Sequence, residues 1–515
     1  MRCLYVTQEL DPYFVEGGLG VTAANLPRAL SREYAIPHTV ILPYYPRLAT
    51  SEVADAEELA LLGPVSLRQD TWYPTILRMP GTLDPEILFV RCDEWYSRDG
   101  GIYRDPQYVE YRDAVPRALF FGRCVARWIH ANPGRYSLLH ANDWQSGAAV
   151  FTLASRSRMP VPSSPRLLFN VHNGQYRGDL TAEWSGALLS SDGPPPTDNA
   201  AWPRQPSLLA LGLLKADALA TCSPSYATEF ICSLTDPLVR DRVREMGITG
   251  IVSGVDYTEW GPDHRVTGAH RYTAATVQAG KRVNKRALQA RCGIRIDERL
   301  PVASVCSRLV PEKGIDQILD GLAPLVHTER MQLVVVGRGE PRYHRSLDSL
   351  ARRARGMVHW DPQFTKSFVH LLYAGSDFTL MPSLVEPCGL NQLISMHYGT
   401  LPIVHAVGGL NDTVTDLITR PGNGTGFVSR QDGSDGLQAV TQAAIQWLTG
   451  SVPAVVQRTR QRAMRADWSW HRTAGQYAAL YSRLMSSPES NEEATGRVTR
   501  SPMAGRISPL THPQR

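Results

Sequence analysis

Paired cysteines, blocks of basic residues and long apolar runs are what this chain lacks, and lysine is scarce. Its eight cysteines (Cys3, Cys92, Cys124, Cys222, Cys232, Cys292, Cys306 and Cys388) include no CxxC pair and are scattered through apolar segments. That excludes a zinc ribbon and argues against a disulfide framework, leaving buried, reduced thiols as the expectation. No run of five basic residues occurs and the net charge of +5 is spread over 515 residues, so neither a nucleic-acid surface nor an anionic-membrane surface is indicated. No apolar stretch approaches the roughly 20 residues that span a bilayer. The chain starts on the short apolar run Met1 to Thr7, without a basic leader, and the expected location is cytoplasmic. No Asp-x-Asp motif occurs, and with it a common motif for a divalent ion is missing. Only Lys215, Lys281, Lys285, Lys313 and Lys366 are lysines among 54 basic residues. Genome composition accounts for the arginine excess, and each remaining lysine gains interest.

What is present suits a large enzyme. A hydrophobic fraction of 43% over this length supports two packed cores rather than one. Apolar strand-like runs alternate with helical patterns. Cys3 to Thr7, Thr39 to Pro43, Ile87 to Arg91, Ser137 to His140, Leu167 to Val171 and Ala218 to Thr221 read as strands, with helices such as Ala23 to Leu30 and Ala114 to Ala131 between them. The pattern restarts at Val302 to Cys306 and continues through Gln332 to Val336, Met357 to His359, Phe378 to Leu380 and Leu401 to Val404. Such alternation predicts α/β domains with doubly wound parallel sheets, whose ligands sit beyond the carboxyl ends of the strands. The expected division is a first domain over 1–258, a linker over 259–299, a second domain over 300–460 and a helix over 461–485 that crosses back to the first domain. A Ser/Pro/Glu/Arg-rich tail over 486–515 has little to bury and is expected to be disordered.

The most informative stretch is Pro382-Ser-Leu-Val-Glu386-Pro-Cys388-Gly389-Leu390-Asn391. A carboxylate precedes a Pro-Cys-Gly-Leu turn that can open a helix, and such a turn presents N–H groups where a diphosphate can bind. It looks like a sugar-nucleotide site, although an ordinary strand–turn–helix connection fits the isolated motif as well. Breaking a sugar–diphosphate bond places negative charge on the leaving phosphates and positive charge on the anomeric carbon. Arg308 and Lys313, at a strand end and the next turn, suit the phosphates as a fork donor and a point charge; taken alone they also fit a surface pair. Cys388 reads as a nucleophile or as a packed thiol, and His172 and Asp143, each after a strand, as core residues or site residues.

Taken together, these motifs resemble the bacterial glycogen synthase and plant starch synthase family. The match includes Gly17-Gly18-Leu19, His140-Ala-Asn-Asp143-Trp144, Val171-His172-Asn173, Ser223-Pro-Ser-Tyr226, Gly254-Val-Asp256-Tyr257, Ser307-Arg308-Leu309 with Lys313-Gly314, the Glu386 segment and Asp467-Trp-Ser-Trp470. The resemblance implies a retaining GT-B glycosyltransferase: two Rossmann-like domains facing across a cleft, metal-independent, without cofactor, moving a hexosyl unit from a nucleotide sugar to a carbohydrate acceptor. It implies Glu386, His172 and Asp143 as the catalytic centre, His172 stabilising the forming cation through its main-chain carbonyl. Gly17, Gly18, Arg308, Lys313, Cys388, Gly389 and Leu390 become donor contacts, and Phe364 stacks on the base.

The chain also departs from the family. Val15 stands where a lysine is usual and Val21 where an acidic residue is usual; Ser253, Asn391 and His405 replace asparagine, threonine and arginine. These changes raise three expectations. The leading one is a transferase acting on a compact acceptor such as an aminocyclitol or pseudo-oligosaccharide, with Glu16 substituting for the lost lysine. The others are a glucan synthase and a weakly active carbohydrate-binding paralogue. A phosphorylase is disfavoured because no lysine follows Lys366.

Overall fold

The structure, a computed structural model, describes residues 1–82, 84–156, 164–192, 202–264, 269–363 and 365–486. In chain order its strands are β1 (Cys3–Val6), β2 (His38–Pro43), β3 (Glu57–Leu61), β4 (Val65–Leu67), β5 (Asp70–Trp72), β6 (Thr75–Arg78), β7 (Glu86–Arg91), β8 (Leu138–Asn142), β9 (Arg166–Val171), β10 (Ala218–Thr221), β11 (Thr249–Gly250), β12 (Val302–Cys306), β13 (Gln332–Val336), β14 (Val358–Asp361), β15 (Phe378–Met381), β16 (Leu401–His405) and β17 (Phe427–Ser429). Nine of them form one sheet, in the order β11-β10-β9-β8-β1-β2-β7-β6-β3, and six form another, β14-β13-β12-β15-β16-β17; β4 and β5 are a separate hairpin. The parallel strands are buried on both faces, which is why they read as unbroken apolar runs. The first sheet is not wholly parallel: β6 runs antiparallel to β7 and to β3.

Both sheets reverse their strand order at the centre. In the first, the chain builds outward from β1 through β2 on one side and returns to β8 on the other; in the second, β12 leads to β13 and later to β15. A crevice opens beyond the carboxyl ends at each reversal, the usual ligand position in such sheets. The chain just beyond β1, β8, β12 and β15 carries Glu9, Asp143, Arg308 and Glu386.

The segment 259–299, read from sequence as a linker, folds with the second domain. Its helix Val277–Arg291 places Val277 and Leu288, followed by Cys292 and Ile294, in the second core. The same helix buries two lysines. Lys281 donates to Thr400 Oγ1 at 2.6 Å and to the carbonyls of Tyr373, Ala374 and Tyr398. Lys285 pairs with Asp377 at 2.8 Å, and Arg460 pairs with the same carboxylate at 2.8 Å. Despite burial, the two cations hold the Asp377 carboxyl down at about 2. At the end of the described residues, helix Trp470–Ser486 packs on helix Gly18–Tyr34 and puts Trp470, Tyr477, Leu480, Tyr481 and Leu484 into the first core. The tail expected beyond it lies outside the described residues.

Candidate active site

Between the two sheets lies a cleft of about 410 Å³ lined from both sides. On the first-domain side Glu9, three residues beyond the end of β1, is 3% exposed. Its Oε2 accepts the N–H groups of Glu16 at 2.8 Å and Gly17 at 2.7 Å, and its Oε1 accepts the Tyr103 hydroxyl at 2.7 Å. A carboxylate therefore already occupies the amides in front of helix Gly18–Tyr34, where helix polarity favours negative charge. The Gly17 N–H, expected to face the donor, is turned to Glu9. Gly18 remains at the cleft wall, and a Cβ on it would stand 3.6 Å from Leu390 of the second domain. Glu16, expected to meet a cationic acceptor, has its Oε1 on the Ile102 N–H. Val15 is 43% exposed.

The neighbouring strands supply Asp143 and His172. Asp143 opens helix Asp143–Arg156 with φ +58°, a left-handed conformation that non-glycine residues adopt rarely. Its Oδ1 accepts the N–H groups of His172 at 2.7 Å and Asn173 at 3.0 Å. Burial outweighs those two bonds and raises its pKa to about 7. Asp143 thus fixes the backbone that carries the His172 carbonyl. The His172 ring places Nε2 2.8 Å from Asn142 Oδ1 and Nδ1 3.5 Å from Cys222 Sγ. Burial lowers its pKa to about 4, so the imidazole is neutral at ordinary pH.

Across the cleft, β12 delivers Arg308 and the following turn Lys313. Lys313 Nζ lies 2.7 Å from Glu386 Oε2, which also accepts the Ser383 hydroxyl at 2.9 Å. The residue expected to clamp phosphate and the residue expected to hold the sugar are thus joined. Arg308 lies 3.6 Å from Glu312 and beside Tyr176 of the first domain, whose hydroxyl donates to Glu312 at 3.3 Å. After Glu386 the chain turns at Gly389, with φ +73°, and enters helix Asn391–His397. No acceptor among the described residues takes the N–H of Cys388, Gly389 or Leu390, so the three amides that the sequence assigns to a diphosphate are uncommitted. The Cys388 sulfur accepts the Ser253 N–H at 3.3 Å, and burial pushes the thiol up to about 11. That disfavours a nucleophilic thiolate.

The replaced positions have local partners. Asn391 donates to the Cys306 carbonyl, and His405 bridges Asp432 at 2.8 Å and the Ser383 carbonyl at 3.1 Å. Phe364, expected against the base, lies outside the described residues. Among the described residues no three His, Cys, Asp or Glu side chains converge as a metal site would require, and no helix is long and apolar enough to cross a membrane. Sequence reasoning missed Glu9, Tyr103 and Tyr176. The position of Glu9, three residues beyond a central strand, was the available signal.

Comparison with known proteins decides what this cleft belongs to. A family model described as the starch synthase catalytic domain matches residues 2–236, and one described as glycosyl transferases group 1 matches residues 290–446. The glycogen synthase of Cellvibrio japonicus (strain Ueda107) is 35% identical over 499 residues, 94% of this chain and 99% of that protein. The chain belongs to the glycogen synthase family. Glycogen synthase 2 of Nitrosococcus oceani is 33% identical over 511 residues, covering 94% of this chain and 98% of its own. Among solved structures, the catalytic domain of starch synthase IV from Arabidopsis thaliana, bound to ADP and acarbose, superposes with a TM-score of 0.82 at 24% identity, covering 94% of this chain and 99% of its own. The family places the protein among the hexosyltransferases of GT-B fold that use nucleotide sugars and carbohydrate acceptors.

Proposed function

We propose that the protein is a glucan synthase that transfers a glucosyl unit, with retention and without a metal ion, from a nucleoside diphosphate glucose to a terminal hydroxyl of an α-1,4-glucan in the cytoplasm. The observation that carries the reading is the joining of Lys313 and Glu386 at 2.7 Å beside the uncommitted amides of residues 388–390. A diphosphate on those amides draws the ammonium of Lys313 toward itself and frees the Glu386 carboxylate for sugar hydroxyls. Arg308 takes the second phosphate through its guanidinium fork. Charge leaving with the diphosphate meets two cations and three N–H groups, while the His172 carbonyl, held by Asp143, faces the cationic sugar carbon. A neutral imidazole adds no opposing charge there.

Relatives named glycogen synthase across nearly the whole length favour a glucan acceptor. The compact aminocyclitol acceptor suggested by Val15 and Glu16 draws no support from them, and Glu16 is engaged with the Ile102 backbone. The test is to incubate the enzyme with labelled ADP-glucose and UDP-glucose, with and without EDTA, against glycogen, maltooligosaccharides and aminocyclitols. Label should enter glycogen and maltooligosaccharides regardless of EDTA. Transfer to an aminocyclitol alone would overturn the acceptor, and loss on chelation would overturn metal independence.

A further inference from the structure

Away from the cleft, helix Pro224–Ser233 of the first domain faces the segment Gly408–Thr413 of the second, and each carries a carboxylate bound to the other's backbone. Glu229 Oε1 accepts the Gly408 N–H at 2.8 Å. In the reverse direction, Asp412 accepts the Ser225 N–H through Oδ2 and the Ser225 hydroxyl through Oδ1, both at 2.7 Å. Asn411 adds a bond to Ser225 Oγ at 3.0 Å. None of Ser225, Glu229 and Asp412 lines the cleft.

The segment that receives the Glu229 bond is fused to the Glu386 loop. Gly409 donates to the Glu386 carbonyl at 2.9 Å. A Cβ on Gly408, where φ is +43°, would stand 2.2 Å from that same carbonyl oxygen, and one on Gly409 would stand 2.1 Å from the Cys388 oxygen. Backbone in such contact cannot shift without carrying residues 386–388 with it. A pull on the Gly408 N–H from the first domain is therefore a pull on Glu386.

We infer that Glu229 and Asp412 form an interdomain latch, and that Glu229 is a positioning residue that sets the Glu386 loop for transfer through Gly408 and Gly409. The inference rests on the proposed role of Glu386. With the latch broken, the second domain keeps Arg308, Lys313 and the 388–390 amides, so it binds nucleotide as before. Glu386 and His172, which come from different domains, lose their fixed relation.

The test uses the full chain carrying Glu229→Ala, Asp412→Ala, both, and Glu229→Gln, whose side-chain oxygen still accepts the Gly408 N–H. Four quantities are read: kcat for transfer to glycogen, the affinity for ADP or UDP by calorimetry, the melting temperature, and the radius of gyration of the nucleotide-bound protein in solution scattering. The expected result is a fall in kcat of about tenfold for each alanine variant, the scale of one charge-assisted hydrogen bond. Nucleotide affinity and melting temperature should stay close to wild type. The double variant should have a larger radius of gyration than wild type with nucleotide bound, and Glu229→Gln should restore kcat. Wild-type kcat and a wild-type radius of gyration in the double variant overturn the latch, as does a kcat loss tracked by an equal loss of nucleotide affinity. A wild-type enzyme that transfers nothing, together with the expected scattering difference, refutes the proposed function while leaving the latch standing.

Discussion

At the scale of single residues, burial has assigned roles that residue type alone left open. His172 and Asp143 follow adjacent strands and read alike in the sequence, yet one is a neutral ring and the other an anchor for the first one's backbone. Asp143 titrates near 7 in the folded protein against 3.8 when exposed. The folded state then holds this proton more tightly than the unfolded state, so stability falls as pH rises from about 4 to about 7 and levels off above that. Asp143→Asn keeps an oxygen for the two amides and removes the titration. Melting curves between pH 4 and 8 should show the variant gaining on wild type as pH rises; parallel curves would contradict the assignment. Glu386 carries the sharper test. Glu386→Ala should lower kcat by roughly two orders of magnitude, about 2.7 kcal/mol, with nucleotide affinity changed far less. Lys313→Ala should instead weaken ADP or UDP binding, which calorimetry reads directly. Scarcity made every lysine a candidate for function, but Lys281 and Lys285 proved to neutralise and satisfy the interior of the second domain.

Elements were legible where their physics is local. The buried parallel strands announce themselves as apolar runs, and the turn at Gly389 as glycine followed by helix formers. Strand β3 was missed because Glu57, Glu58 and Leu59 are exposed and give no alternation. The Glu9 contact with Gly17 was illegible for a different reason: a hydrogen bond from side chain to backbone leaves no mark on composition or periodicity. Pairings such as Ser225 with Asp412, 187 residues apart, depend on how two domains meet, which no window of sequence contains. The glycine pair after β16, Gly408 and Gly409, lets two loops touch, because a Cβ on either would meet the carbonyl of Glu386 or Cys388. Gly409→Ala should therefore cost at least about tenfold in kcat by displacing the Glu386 loop, without altering Arg308 or Lys313. Steady-state kinetics would expose a tolerant site as unchanged turnover.

For the molecule as a whole, the first strand and the last described helix share one core. Helix Trp470–Ser486 lays Tyr481 2.7 Å from His140 Nδ1, and Asn170 donates to Tyr477 at 3.1 Å, inside the first sheet's support. Removing the five large apolar side chains of this helix forfeits on the order of 10 kcal/mol at ~2 kcal/mol each, comparable to the stability of a domain. A chain ended after Ala466 should accumulate as unfolded or aggregated protein, seen as lost circular dichroism and rapid proteolysis; a soluble, folded product would show that the first domain stands without it. The outward and returning connections also run side by side: Val255 donates to the Trp468 carbonyl at 2.7 Å and pairs in parallel with Ser469. Two ribbons stapled flat behave as a leaf spring, compliant to bending and stiff to torsion. The halves should then swing along a single arc rather than swivel, which distances between labels varying along one coordinate would show.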